Sequence, residues 1–143
     1  ELVFGSDLYE IVLPKGSITT GNEVDIDTKL AKLLPIKDNI LWLSLKDSGL
    51  KDKHLEAIGG FMNLQKLEIQ ENPVTDIGIA AIANCPNIVG LNLFQTKITK
   101  SSLETFSRMG NLKRVYAWGT SITEKDIMAF GDRENFPDII LGL

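Results

Sequence analysis

Residues 63–82, NLQKLEIQENPVTDIGIAAI, change their apolar period midway, and that change decides the fold. In the first half Leu67 and Ile69 alternate with polar residues, as in a strand with one buried face. In the second half Ile79 and Ile82 stand three positions apart, as on one side of a helix. Thr75 lies between the halves, where its hydroxyl can accept a hydrogen bond from a free amide of the first helical turn. The stretch predicts a short strand, a turn and a short helix.

Further out, Asn63 is one of five asparagines, Asn39, Asn63, Asn87, Asn111 and Asn135, each 24 residues from the next. The columns behind them keep that interval. Four places after each Asn stand Leu43, Leu67, Leu91, Val115 and Ile139, and two further on Leu45, Ile69, Leu93, Ala117 and Leu141. The helical half repeats as Leu55, Ile79, Leu103 and Ile127, then Ile58, Ile82, Phe106 and Phe130. Thr99 and Thr123 recur at the place of Thr75, and Asp126 follows Thr123 by three residues, as in a capping box. One such unit buries its apolar columns only against its neighbours. The expected fold is therefore an α/β solenoid with a concave sheet of parallel strands near 42–45, 66–69, 90–93, 114–117 and 138–141, and short helices on the convex side.

The pattern LxxLxLxxTxIT, in IVGLNLFQTKIT (88–99), LKRVYAWGTSIT (112–123) and more loosely LQKLEIQENPVT (64–75), resembles the leucine-rich repeat family over residues 39–143. Four full repeats and a terminal strand fill that span, in one continuous domain with what precedes it. Ser48, Asn72, Thr96 and Thr120 stand where the family often has a ladder asparagine. The first unit departs most, with SGLK (48–51) in place of T-x-I-T.

Residues 1–38 lack the strand half, because Ser17, Thr19 and Gly21 fall in the apolar columns. Ile26, Ala31 and Leu34 fall in the helical columns, and DTKLAKLLPIKDN (27–39) reads as a helix ended near Pro35. LYEIVL (8–13) alternates like a strand and PKGSITTGN (14–22) reads as a polar turn. The expectation is an N-terminal cap over the open end of the stack. LAKLLPIKDNILWLSL (30–45), the aromatic-bearing repeats and the terminal FPDIILGL (136–143) are together similar to the C-terminal leucine-rich repeat domain of bacterial envelope proteins that carry a c-type cytochrome domain upstream. That resemblance implies a periplasmic or cell-envelope location. The haem-attachment motif C-x-x-C-H is absent from these residues, so it implies no haem here.

Composition bounds the rest. The 143 residues carry 15 Lys+Arg against 19 Asp+Glu, a net charge of -4, with 43% hydrophobic side chains. This is the balance of one globular domain, and it disfavours nucleic acid, whose phosphates call for a basic surface. No apolar run reaches the roughly 18 residues needed to span a bilayer. The chain starts at Glu1, from which a processed chain or an excised domain is expected, any leader or anchor lying outside it. A monomer is expected.

Catalytic and metal chemistry find few residues. His54 shares a column with Gly78, Ser102 and Asp126 and reads as a solvated surface histidine. Cys85, the single cysteine, shares a column with Phe61 and Met109 and reads as a small buried hydrophobe. Gly59-Gly60 reads as a helix C-cap, and Glu68 and Glu71 as a solvated charge pair. No enzyme activity, cofactor or metal is expected.

Strand alternation also identifies the side chains on the concave face. They form the columns Trp42, Lys66, Gly90, Arg114; Ser44, Glu68, Asn92, Tyr116; Lys46, Gln70, Phe94, Trp118; and Asp47, Glu71, Gln95, Gly119. Trp42, Glu68, Phe94, Arg114, Tyr116 and Trp118 are the candidate binding residues, since aromatic rings and Arg dominate recognition surfaces. Stacking within the sheet is the competing role for these rings. A protein partner is the leading expectation. A glycan held on the rings with help from Gln70, Asn92 and Gln95, and a docking role for an attached redox domain, are the alternatives.

Overall fold

The structure, a computed structural model, describes residues 25–131 and 133–142 in full and the main chain of residues 2–4, 8–12, 18–19 and 22–23. The described elements begin with strands β1 (Leu2–Phe4), β2 (Leu8–Val12), β3 (Ile18–Thr19) and β4 (Asn22–Glu23). Helix α1 (Ile26–Leu33) and a 3₁₀ turn (Leu34–Asn39) follow, then β5 (Ile40–Ser44) and α2 (Asp52–Ile58). The alternation continues through β6 (Lys66–Glu68), α3 (Asp76–Ile82), β7 (Gly90–Asn92), α4 (Ser102–Arg108), β8 (Arg114–Tyr116), α5 (Glu124–Phe130) and β9 (Asp138–Ile140). The fold is α/β: β5 to β9 form a parallel sheet in chain order, β2 joins its first edge in parallel, and β1 pairs antiparallel with β2.

The register follows the sequence columns. Leu43 pairs with Leu67, Leu67 with Leu91, Leu91 with Val115 and Val115 with Ile139. Each strand ends one residue short of the expected range, yet the pairing runs on. Leu45, Ile69, Leu93 and Ala117 still donate amides to the next strand, at 2.8, 3.1, 2.7 and 2.9 Å. Beyond them Asp47, Glu71 and Gln95 turn the chain at φ values of 43, 60 and 52°, in line with Gly119 at 75°. The helices cover one face of the sheet, and one continuous core runs from Ile26 to Ile122.

Polar ladders tie each unit to the next at the same interval. Asn63, Asn87 and Asn111 donate through Nδ2 to the carbonyls of Asp38, Met62 and Pro86, at 2.6, 2.8 and 2.8 Å. Asn72, buried in the turn after β6, accepts the amides of Ser48 and Leu50 from the preceding turn at 3.0 Å each and donates to the carbonyls of Leu45 and Ile69 at 2.8 and 2.9 Å. On the helix side Asp52 accepts from the amide and hydroxyl of Thr75, and Asp76 from those of Thr99, at 2.8 and 2.6 Å in both cases. Lys100 interrupts that column. Thr123 turns instead to Asp126 in a reciprocal capping box, and those hydrogen bonds from Thr123, with Lys100 and Lys125 nearby, hold the Asp126 carboxyl below its usual range.

Several expectations need correction. α1 buries Ile26, Leu30 and Leu33, while Ala31 and Leu34 are exposed. Its cap is Asp25, so the helix starts earlier in the unit than its counterparts do and its apolar stripe shifts by one residue. Pro35 opens a 3₁₀ turn, which continues the coil after α1 ends. PKGSITTGN contains the short strand β3 and the first residue of β4, whereas Ser17 and Gly21 lie outside the described residues. Thr99 accepts the amide of Ser101 at 3.2 Å, capping a turn just ahead of α4. Gly59 does sit at a C-cap, but with φ −57°; glycine is needed there because a Cβ would lie 2.7 Å from the carbonyl oxygen of Ala81.

His54 is the largest departure, being only 5% exposed. Its Nδ1 accepts the Lys51 amide at 2.8 Å, so Nε2 carries the proton and donates to Asp27 Oδ1 at 3.0 Å. Gly78 and Ser102 in the same column are buried as well, so the column turns inward, and at His54 it bonds the first unit to Asp27 of α1.

Candidate binding face

The sheet face opposite the helices carries the candidate residues, and short strands set their order. In β8, Val115 is fully buried while Arg114 and Tyr116 point the other way, and Ala117 is buried beside an outward Trp118. A small core residue between two large outward ones is what strand alternation requires when only one face is packed. Phe94 and Trp118 stand on adjacent strands with ring centroids 5.4 Å apart and planes tilted by 47°. Trp118 is 47% and Tyr116 40% exposed. The rings border a depression of about 200 Å³ walled by Lys46, Gln70, Glu71 and Asn92 on one side and by Ile140 and Gly142 at the last strand. Asn92 is fixed by accepting the Phe94 amide at 3.1 Å, and Lys46 lies 3.7 Å from Glu71.

Trp42 does not join this group. Its Nε1 donates to Glu68 at 2.8 Å and the Lys66 ammonium lies 4.1 Å above its ring, so Trp42 and Glu68 form a separate, half-buried cluster. Glu68 and Glu71 are therefore not a pair with each other: one serves Trp42 and the other Lys46. Arg114 borders a second depression, of about 490 Å³, with Lys66, Gly90, Lys113, Tyr116 and Asp138. Tyr116 lines both hollows and joins them. Sequence columns found Arg114 and Tyr116 but missed Lys113, which lies one place outside the strand and belongs to none of the four columns.

Residues with catalytic chemistry are held elsewhere. Cys85 is buried, donates to the Ile58 carbonyl at 3.1 Å, and has its thiol pushed up to about 11 by burial, so it is no nucleophile at neutral pH. Among the described residues no group of His, Cys, Asp and Glu could hold a metal ion, and no helix is long and apolar enough to cross a membrane. No family model matches this chain, and no curated protein matches it.

Proposed function

We propose that this chain is a leucine-rich repeat solenoid whose concave sheet face docks a protein partner, without a catalytic role. The observation that carries the reading is the pair of half-buried Phe94 and exposed Trp118 beside exposed Tyr116, turned away from a core that closes beneath it with Val115 and Ala117. Rings rimmed by charge are the surface on which binding free energy concentrates, and loss of one typically costs about 2 kcal/mol or more. The 47° tilt favours a protein over a glycan. Two inclined rings make a notch for an inserted side chain, whereas a stacked sugar is best served by a flat platform. The resemblance to repeat domains of envelope proteins supports a partner in that compartment.

The test compares wild type and Trp118→Ala as baits in a pull-down from the native envelope fraction, with a glycan array beside it. The expected result is a protein retained by wild type and lost by the variant at an unchanged melting temperature. Identical captured sets, or a loss of folding stability as large as that of a core substitution, would contradict it.

A further inference from the structure

Gly90 has no structural reason to be glycine. It lies in the middle of the parallel sheet, in register with Lys66 on β6 and Arg114 on β8. Its φ is not positive, and a Cβ would meet nothing nearer than Lys66 Cγ at 3.9 Å, an ordinary contact. Glycine within a strand weakens it, and where fold geometry does not demand one it marks a place where another backbone or a ligand comes close. The missing side chain leaves a slot between Lys66 and Arg114 about two strand spacings, roughly 10 Å, across.

The charge around the slot runs against the rest of the chain. Lys66, Lys113 and Arg114 border it, against two carboxylates, Asp138 and, on the side where Gly90 and Lys66 meet Asn92, Glu68, which accepts a hydrogen bond from Trp42. Lys66 is steadied over the Trp42 ring, and among the described residues Lys113 and Arg114 form no salt bridge. Three cations gathered on a protein of net charge -4 repel one another at some cost to the fold, and an anionic ligand turns that cost into attraction. From this slot Tyr116 leads along the strand to the ring notch. Arg114 and Trp118 are four residues apart, about 13 Å of extended chain.

We infer that the Gly90 slot receives a carboxylate of an extended acidic peptide segment, whose main chain passes close over the Gly90 backbone and whose apolar side chain enters the notch of Phe94 and Trp118. The inference rests on the docking reading and names the chemistry of its partner. Lys113 and Arg114 pair with the carboxylate, and the missing Cβ gives the peptide its clearance.

The probe is a displayed library of random peptides selected on the immobilised chain, with the enriched sequences then synthesised and titrated. The expected peptides are rich in Asp and Glu, with an aromatic or large aliphatic residue about four positions from an acid, and they bind more weakly as salt rises. Gly90→Leu fills the slot and should weaken them at least about tenfold without lowering the melting temperature, and Arg114→Glu should do the same while abolishing the acid preference. Peptides that lack acid enrichment and ignore Gly90→Leu, yet are lost in Trp118→Ala, would overturn the slot and leave the docking reading standing. A library that yields no binder, while immobilised polyuronate is retained, would overturn both in favour of an acidic glycan. Binding indifferent to all three substitutions would also overturn both.

Discussion

Asn72 holds two successive turns together through one buried side chain. Its amide closes its own turn through Ile69 and the preceding one through Ser48, Leu50 and Leu45. Asn72→Ala strands those buried groups together, and we expect a loss of about 2 to 4 kcal/mol in denaturant titration, since each unsatisfied group costs about 1 to 3 kcal/mol. The next two turns use Thr96 and Thr120, whose hydroxyls donate to the carbonyls of Leu93 and Ala117 within their own units, Thr120 also accepting the Ile122 amide at 3.3 Å. Gly119 is a second singular residue. With φ at 75° and Gln95 Cγ 2.8 Å from where a Cβ would stand, Gly119→Ala should cost about 1 to 2 kcal/mol. The turn residues Glu71 and Gln95 reach the same region of φ without being glycine, which is why nothing in their identity disclosed it. His54 was illegible for a related reason. Nothing in the identities of a histidine, a glycine and a serine shows that their column turns inward, as it does at Gly78 and Ser102 too, and the partner Asp27 stands where the repeat is broken.

Cys85 also supplies the pH dependence. Burial lifts its thiol from an ordinary 9.0 to about 11, so between those values the folded chain keeps a proton that the unfolded chain gives up. Its contribution to stability is intact below about pH 9 and is lost as the pH rises toward 11. Unfolding free energies measured across that window should fall more steeply for wild type than for Cys85→Val; parallel curves would mean that the thiol is not desolvated.

At the scale of elements, strand identity was written in the sequence more firmly than helix phase. Leu67, Leu91 and Val115 meet in register because two-residue alternation with one packed face permits no slip, as a shift of one residue would turn each apolar column outward. Leu91 is buried at the centre of that column, and Leu91→Ala should cost about 2 to 5 kcal/mol in a denaturant titration. A cost under about half a kcal/mol would mean that the column is not core. Helices of seven residues are too short to carry a full stripe, so their phase depends on where the cap falls. At the cap of α3 and in the turn ahead of α4 the Asp–Thr ladder sets that place across units, and in α1 Asp25 sets it locally. The position of α1 therefore could not be extrapolated from the repeats, although its existence could.

The whole molecule is asymmetric. Its N-terminal side is covered by β2 pairing along β5 and by α1 placing Ile26, Leu30 and Leu33 in the common core. Deleting residues 1–38 should uncover Ile40 and Leu43, both fully buried, and lead to aggregation detectable by light scattering. The far side ends on β9, where Ile139, Ile140 and Leu141 remain partly exposed. Between these ends lies the open sheet face, and the sequence made part of it readable. Alternation alone sent Phe94, Tyr116 and Trp118 outward and set the first and last side by side. It could not foresee that Trp42 would be occupied by Glu68 and Lys66, because those bonds depend on side-chain reach across strands and not on the side from which a residue emerges. It also could not reveal the basic hollow, to which Lys113 contributes from just outside the strand.

That face is a docking surface if its rings serve a ligand more than they serve the sheet. The measurement that separates the two most directly is the affinity of a library-selected peptide for wild type and Trp118→Ala, determined on chains whose melting temperatures have been matched. The account predicts binding at least about tenfold weaker in the variant, with stability changed by less than about 1 kcal/mol. Equal affinity, or a variant destabilised as much as Leu91→Ala, would contradict it and leave the rings as part of the scaffold.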